Sequence, residues 1–349
     1  MDKRGISKML RLAALALPVA VSLPLVAGFF GAWHPAFDSF AHFRAHLALA
    51  TVLAAMPALF IGYWKEAGLS IALGIAAFAT TTNVTATAML GEVNAAAQTE
   101  PAKQATYRLL HLNARFDNKR PEMLLSLIGR VRPDIVALNE VSAPWVEQLK
   151  RISAAYPYQI FCEPSSRVGP AAIVSRRPFA EGTAGRCHDT GAMATAEIDL
   201  GGRTIGIAAI HLKWPWPFSQ SQQIDRLAGP LSELGDSALA AGDLNATPWS
   251  HAVARIAEAG GLSRVSGSTP TWLTRRLPVS LRQWIGLPID HIFSKGAITI
   301  QSVRIAEDVG SDHAPLLVEF SLAPRPAAPA EEESATTAQN RSGRSLSAL

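Results

Sequence analysis

The chain has 349 residues, of which 48% are hydrophobic and only 17% charged, with a formal net charge of +4 at pH 7. A positive mean hydropathy with so few charges argues against a purely soluble protein, and the length allows one or two domains. Two scattered cysteines do not make a metal site, and the lack of a Walker loop, a G-x-S-x-G elbow or an H-E-x-x-H helix disfavours an NTPase, a serine hydrolase or a zinc protease.

The apolar excess lies at the front. Residues 12–37, 45–64 and 67–91 contain no Lys, Arg, Asp or Glu, and each is long enough to cross roughly 30 Å of hydrocarbon, so the sequence predicts three transmembrane helices. Lys3, Arg4, Lys8 and Arg11 precede the first helix, as they would in a cleaved signal peptide, but the apolar run is longer than a typical signal core and favours an uncleaved anchor. These charges and Lys65 outweigh Arg44 in the first loop, which puts the N-terminus inside and everything after about Glu92 outside the cytoplasm. The pI near 9.2 follows in part from this asymmetry and is weak ground for a nucleic-acid partner. Trp33, Tyr63 and Trp64 fall at helix ends, where amphipathic rings favour the headgroup layer. Thr81, Thr82, Asn83, Thr85 and Thr87 make the third helix polar; without accompanying charges they read as hydroxyls bonding back to carbonyls of their own helix, or as a helix interface, rather than a transport path.

Residues 92–106 lack apolar periodicity and read as a linker, and residues 323–349, with Glu331, Glu332 and Glu333 followed by Ser, Thr and Arg, read as a disordered tail. The anchor is thus residues 1–91 and the remaining domain residues 107–322, enough for one large core. Ten apolar runs bounded by turn residues read as strands, within 107–114, 134–141, 158–163, 171–177, 194–200, 204–212, 238–245, 288–294, 297–305 and 316–322. Residues 120–131, 146–154, 219–234 and 251–259 read as helices. Many strands with few helices imply sheet packed on sheet with helices outside. Cys162 and Cys187 both fall in this domain, where an oxidising compartment permits a disulfide.

Six segments deliver carboxylate, amide or imidazole groups at strand ends: HLNAR with Asn113, ALNEV with Glu140, AAIHL with His211, GDLNATP with Asp243 and Asn245, PIDHIF with Asp290 and His291, and SDHAP with Asp312 and His313. Phosphoryl transfer demands positioning and neutralisation of charge on nonbridging oxygens, which a hard divalent cation on oxygen ligands supplies. Glu140, ending the apolar run DIVAL, is the principal candidate ligand for Mg²⁺ or Mn²⁺, with Asn113 beside it. Gly242 allows a tight departure from its strand; Asp243 is placed to orient or deprotonate water, and Asn245 to donate its amide to a phosphoryl group. Asp290 and His313 read as a carboxylate–imidazole pair, and either His313 or Asp243 would serve as base. His211 is a candidate cationic donor. His291 faces the opposite side of its strand from Asp290 and reads as support, and His111 reads as packing.

This ordered series resembles the endonuclease/exonuclease/phosphatase superfamily over residues 107–320. The resemblance implies a four-layered α/β sandwich with two central mixed sheets flanked by helices, and it supports Asp312 as a further metal ligand. Three N-terminal helices before such a domain are similar to the bacterial membrane hydrolases associated with teicoplanin resistance, which implies a multi-pass protein of the bacterial inner membrane with its catalytic domain outside the cytoplasm.

Two loops bear on substrate. LKWPWPF carries Lys213, Trp214, Trp216 and Phe218, and TWLTRRLPVSLRQW carries Trp272, Arg275, Arg276, Arg282 and Trp284. Interleaved rings and cations suit stacked bases with phosphates, or a membrane surface with its headgroups, or simple cover for sheet edges. The short tether favours the lipid bilayer as partner over nucleic acid. The leading expectation is therefore a membrane-anchored, metal-dependent phosphoester hydrolase acting on lipid-linked phosphates or phosphodiesters of the cell envelope. An anchored nuclease and a noncatalytic adaptor on the same fold are the alternatives.

Overall fold

The computed structural model describes residues 3–96, 105–163, 168–265, 267 and 269–324, so most of the stretch read as a linker and nearly all of the stretch read as a tail lie outside the described residues. All ten expected strands form, as β1 (Tyr107–Asn113), β2 (Ile135–Asn139), β3 (Tyr158–Phe161), β4 (Ala172–Ser175), β6 (Met193–Asp199), β7 (Thr204–His211), β8 (Ala238–Asp243), β10 (Asp290–Lys295), β11 (Ile298–Ile305) and β12 (Leu316–Leu322). Two short strands complete the sheets, β5 (Arg186–His188) and β9 (Ser263–Arg264). With three and two residues they are too brief to show a period-two pattern.

The strands form two six-stranded sheets, ordered β11-β12-β1-β2-β4-β3 and β5-β6-β7-β8-β10-β9. Both are mixed: β1 runs parallel to β2 and β7 parallel to β8, while the other neighbours are antiparallel. Alternation sorts the side chains. Leu109, Ile135, Ile207, Leu239, Ile292 and Phe320 meet between the sheets. Leu110, Val136 and Leu138 face outward onto helices α5 (Pro121–Val131) and α6 (Ala143–Lys150), and Ala208, Ile210 and Phe293 face outward onto α7 (Gln220–Ser232) and α8 (His251–Gly260). Apolar residues on both faces of each sheet produce the expected layers, helix, sheet, sheet, helix. Cys162, which follows β3, and Cys187 on β5 are joined by a disulfide that links an edge of one sheet to an edge of the other.

The N-terminal region departs from the sequence reading. Among the described residues, by length and composition one helix, Lys8–Phe30, is able to cross a membrane, rather than three. The second apolar stretch forms the single helix α3 (Arg44–Phe60), preceded by α2 (Pro35–Ala41); the two meet at 69° and make a further span only if the bent pair counts as one. Hydropathy reads the segment between the first two stretches as a loop and does not see that Asp38, His42 and Arg44 are buried at this bend. Arg44 is held there by a 3.1 Å hydrogen bond from Nη2 to the Gly28 carbonyl and by the Phe29 ring 4.1 Å below its guanidinium. The third stretch lies in α4 (Trp64–Ala96), which continues into the residues read as a linker and whose side chains are described only as far as residue 82. Small residues let the helices approach closely: Ala48, Ala55, Ala58, Ala67 and Ala77 are buried between them, and a Cβ on Gly74 would lie 2.7 Å from the Ala48 carbonyl oxygen. The hydroxyls of Thr80, Thr81 and Thr82 bond back to carbonyls of their own helix, the arrangement expected for polar residues with no path to line.

Replacing Cys162 and Cys187 together by Ala is expected to destabilise the domain by about 3 kcal/mol, the loop-closure effect of a cross-link with a sequence separation of 25. Urea unfolding monitored with and without reductant measures it.

Candidate active site

The inter-sheet face that is apolar along most of each strand turns polar at one end. On β1, Leu109, His111 and Asn113 share this face, and on β8 Leu239, Ala241 and Asp243 do so. Register then sets the row. Asp243 pairs with His211 of β7 on one side and with Asp290 of β10 on the other, while Asn113 pairs with Asn139 across β1 and β2. Gly242 is required by close approach rather than by a turn: a Cβ there would run into the Ile210 carbonyl of the neighbouring strand.

The two sheets meet through this row. Asn113 donates one amide hydrogen to Glu140 Oε1 at 3.0 Å and the other to Asp243 Oδ2 at 2.9 Å, and its Oδ1 accepts from Arg115 N at 2.9 Å. It therefore bridges the two carboxylates through its N–H groups and turns its oxygen away from them. Asn139 Oδ1 accepts from the backbone N–H of Asp243 at 2.9 Å. His211 Nε2 lies 3.9 Å from Glu140 Oε1 and 3.8 Å from Asp243 Oδ2, and His313 Nε2 lies 3.5 Å from Asp243 Oδ2. Glu140 and Asn245 both have positive φ, 56° and 47°, which non-glycine residues adopt only where surrounding contacts impose it. Those contacts are present. Phe116 N donates to Glu140 Oε2, Asn245 N donates to Asp243 Oδ1, and Asn245 Nδ2 donates to the Leu212 carbonyl.

Asp290 lies behind this row, fully buried between two imidazoles: His313 Nδ1 is 2.8 Å from Oδ2 and His111 Nε2 is 3.1 Å from Oδ1. Thr271 Oγ1 accepts from the Asp290 backbone N–H. Burial alone would raise the Asp290 pKa, but the charge of His313 and the two imidazole hydrogen bonds outweigh it and hold the group well below the carboxylate range. Burial alone would likewise lower His313; the charges of Asp290 and Asp243 reverse this and push it up to about 10. Asp243 is raised, by burial first, with His313 opposing and the nearby Asp290 charge adding to it. His291, on the outward face of β10, is lowered by burial to about 3 and keeps Nε2 on the Ala246 carbonyl at 2.7 Å, a structural contact as expected for a residue of opposite parity.

An open cleft of about 580 Å³ leads to the row, lined by Glu140, His211, Asp243, Asn245, Asp312 and His313 and walled by Phe116, Trp214, Phe218 and Trp272. Asp312 sits at its edge, 3.2 Å from Arg115 Nη1. Lys213 lines the cleft with Nζ on Ser219 Oγ, and Trp214 packs edge-to-face on Trp272 with centroids 5.8 Å apart. Arg275 and Arg276 are exposed and do not line it. Sequence reasoning missed Asn139, Arg115 and Thr271, and it read His111 as packing although its parity with Asn113 was visible. The side chain instead engages Asp290.

By distance alone Asp243, Asp290 and His313 offer ligand atoms within 4.8 Å of one another. Both Asp290 oxygens are already taken by imidazoles and its side chain is fully buried, whereas Glu140 and Asp243 open onto the cleft. Glu140, with Asp312 lining the same cleft, fits a hard divalent cation by donor chemistry, and Asp243 is left for acid–base work.

A model of the Endonuclease/Exonuclease/phosphatase family matches residues 105–313. No curated protein matches the chain. Among solved structures, an endonuclease/exonuclease/phosphatase from Bacteroides vulgatus aligns with a TM-score of 0.52 at 18% identity, covering 63% of this chain and 100% of the other. A humanized Danio rerio TDP2 aligns at 0.50 and 20% identity, covering 62% and 99%. The D. rerio TDP2 complexed with a single-strand DNA product aligns at 0.50 and 19% identity, again covering 62% and 99%. At these identities the likeness is one of fold.

Because the His313 pKa is raised in the folded protein, its stabilisation is complete below the ordinary value of 6.5 and is lost as pH rises toward about 10. In EDTA, wild-type thermal stability is expected to fall between those pH values more steeply than that of His313→Gln. Parallel melting curves across the range would exclude a charged His313.

Proposed function

The chain belongs to the endonuclease/exonuclease/phosphatase family, and from that membership we propose that it is a membrane-anchored, divalent-metal-dependent phosphoester hydrolase acting on lipid-linked phosphates or phosphodiesters outside the cytoplasm. The hydrolase part rests on one observation: Asn113, Glu140, His211, Asp243 and His313, drawn from both sheets, converge at the floor of a single cleft. Glu140 would hold the Mg²⁺ or Mn²⁺ ion, with Asp312 as a further oxygen donor. When bound, the ion offsets charge on the phosphoryl oxygens.

The chain's own groups divide the remaining work. His313, charged near neutral pH and fixed in one orientation by Asp290, donates rather than accepts a proton. That leaves Asp243, whose pKa is raised, to take the proton of the attacking water. His211 Nε2 faces the cleft beside both carboxylates and is placed to donate to a phosphoryl oxygen. Asn245 spends one amide hydrogen on Leu212 and has the other for the phosphoryl group.

The lipid part rests on the rim. Trp214, Phe218 and Trp216 are 49%, 63% and 52% exposed beside the cleft, and Trp284 is 75% exposed on the second loop, where Ile285 O lies 3.2 Å from His46 Nε2 of α3. Exposed rings next to apolar helices suit a headgroup layer better than bulk water. The extracytoplasmic location has two supports. The bend between α1 (Lys3–Ala27) and α3, which the charge asymmetry puts outside, touches the catalytic domain, so the two share a side. The Cys162–Cys187 disulfide suits an oxidising compartment. These features also favour kinship with the teicoplanin-resistance-type membrane hydrolases.

Full-length protein in lipid nanodiscs, given Mg²⁺, Mn²⁺ or EDTA, is expected to release phosphate or headgroup from polyprenyl pyrophosphate or phospholipid. Turnover should cease in Glu140→Ala and fall about a hundredfold or more in Asp243→Asn. Cleavage confined to DNA or RNA would replace the lipid reading with an anchored nuclease, and full activity in Glu140→Ala would remove the metal assignment.

A further inference from the structure

The segment between β8 and α8, residues 244–250, carries Asn245 and follows Asp243 directly. One side of it is fixed by the catalytic domain. Leu244 N donates to the Ile289 carbonyl at 2.9 Å, Gln220 Nε2 donates to the Leu244 carbonyl at 3.0 Å, and His291 Nε2 lies 2.7 Å from the Ala246 carbonyl. The other side is held by the bend of the N-terminal helices, some 200 residues away in sequence. Asp38, which is buried, accepts from His251 N at 2.7 Å through Oδ1 and from Ala252 N at 2.9 Å through Oδ2. His42 Nδ1 accepts from Thr247 N at 3.2 Å, and Trp249 Nε1 donates to the Ala41 carbonyl at 2.6 Å.

We propose that Asp38 and His42 are positioning residues of the active site, and that the N-terminal module clamps the Asp243–Asn245 turn in its working geometry as well as anchoring the chain. The physical case has three parts. First, His251 and Ala252 open helix α8, where backbone N–H groups have no partner within the helix. Ser250 Oγ caps Val253 N, and Asp38 satisfies two more N–H groups with a charge that the helix dipole favours. Second, Asn245 sits at positive φ, a conformation that persists only when its surroundings over-determine it, and the contacts from Asp38, His42 and Ala41 hold the loop in addition to those of Gln220 and His291. Third, the bend is shaped for this contact. Gly31 packs against Asp38 so closely that a Cβ would lie 2.6 Å from Oδ1, and Gly28 against Ala41 so closely that a Cβ would lie 2.9 Å from its N. A buried carboxylate is costly unless paired, and the two hydrogen bonds that the Asp38 oxygens accept both come from the catalytic domain.

The catalytic consequence rests on the hydrolase reading above, so the test pairs a kinetic with a structural readout. Full-length wild type, Asp38→Ala, Asp38→Asn and His42→Ala in nanodiscs are assayed with Mg²⁺ and bis(p-nitrophenyl) phosphate, which needs no lipid contact, and by hydrogen–deuterium exchange. Asp38→Ala is expected to lose about tenfold to a hundredfold in kcat with KM within about twofold, the scale of a small misplacement of reacting groups. Exchange should rise in residues 244–255 while peptides of β1 and β2 stay protected, and Asp38→Asn, which keeps one acceptor, should recover part of both losses. Wild-type exchange in Asp38→Ala would overturn the proposal, and so would faster exchange with unchanged kcat. If Asp38→Ala exchanges globally, His42→Ala gives the same two readouts at Thr247. Failure of the hydrolase reading looks different: wild type is silent with every substrate while exchange in 244–255 still rises in Asp38→Ala, which upholds the clamp and discards the reaction.

Discussion

Two carboxylates, Asp243 and Asp290, lie side by side on neighbouring strands at the end of an apolar inter-sheet core, and both are almost completely buried. A buried carboxylate without partners is so costly that it would take up a proton or open the structure. The site is the solution to that constraint. Asp290 is neutralised by His313 in front and His111 behind, and Asp243 is hydrogen-bonded by Asn113 from the opposite sheet and faced by His313 and His211. His111 and Asn113 come from β1 of the opposite sheet, so the pairing also fixes how the two sheets are stacked.

The same constraint makes the cluster reactive. Charges that cannot be hydrated interact strongly, which drives His313 up and Asp290 down and separates the donor from the acceptor within a few ångströms. Such a cluster is useful only if the cleft side of it stays fixed while the other side carries charge. Residues 244–250, bounded by the catalytic domain on one side and by the bend of the N-terminal helices on the other, are the part of the floor with the least secondary structure of its own. This accounts for the polar residues of that bend. Asp38 would be costly in an apolar helix pair, and it is satisfied by two backbone N–H groups of the catalytic domain, while His42 Nδ1 accepts a third. The two loops that carry the exposed rings also touch this region, Trp216 through its carbonyl on Ser39 and Ile285 through its carbonyl on His46.

Alternation and turn chemistry are local, and they were legible. The ten longer strands, the four catalytic-domain helices and the residues Asn113, Glu140, His211, Asp243, Asn245, Asp290 and His313 follow from apolar runs that end in polar groups, because a strand buried on both faces leaves only its ends for chemistry. Parity likewise separates Asp290 from His291. What pairing across the sandwich decides was not legible. No pattern in the sequence tells that His111 meets Asp290, 179 residues on, or that Asn139 accepts from Asp243, or that Arg115 reaches Asp312. Arg275 and Arg276 have the right composition for a substrate grip, yet neither lines the cleft.

The N-terminal region divides the same way. Composition alone determined that residues 12–37, 45–64 and 67–91 are apolar and helical, because that depends on neighbours along one helix. Tertiary structure decided that the segment between the first two stretches folds as α2, at 69° to α3, with Asp38, His42 and Arg44 buried at the bend. A carboxylate between apolar runs reads as a loop charge until its partner is known, and the partner here is the first turn of a helix 213 residues away.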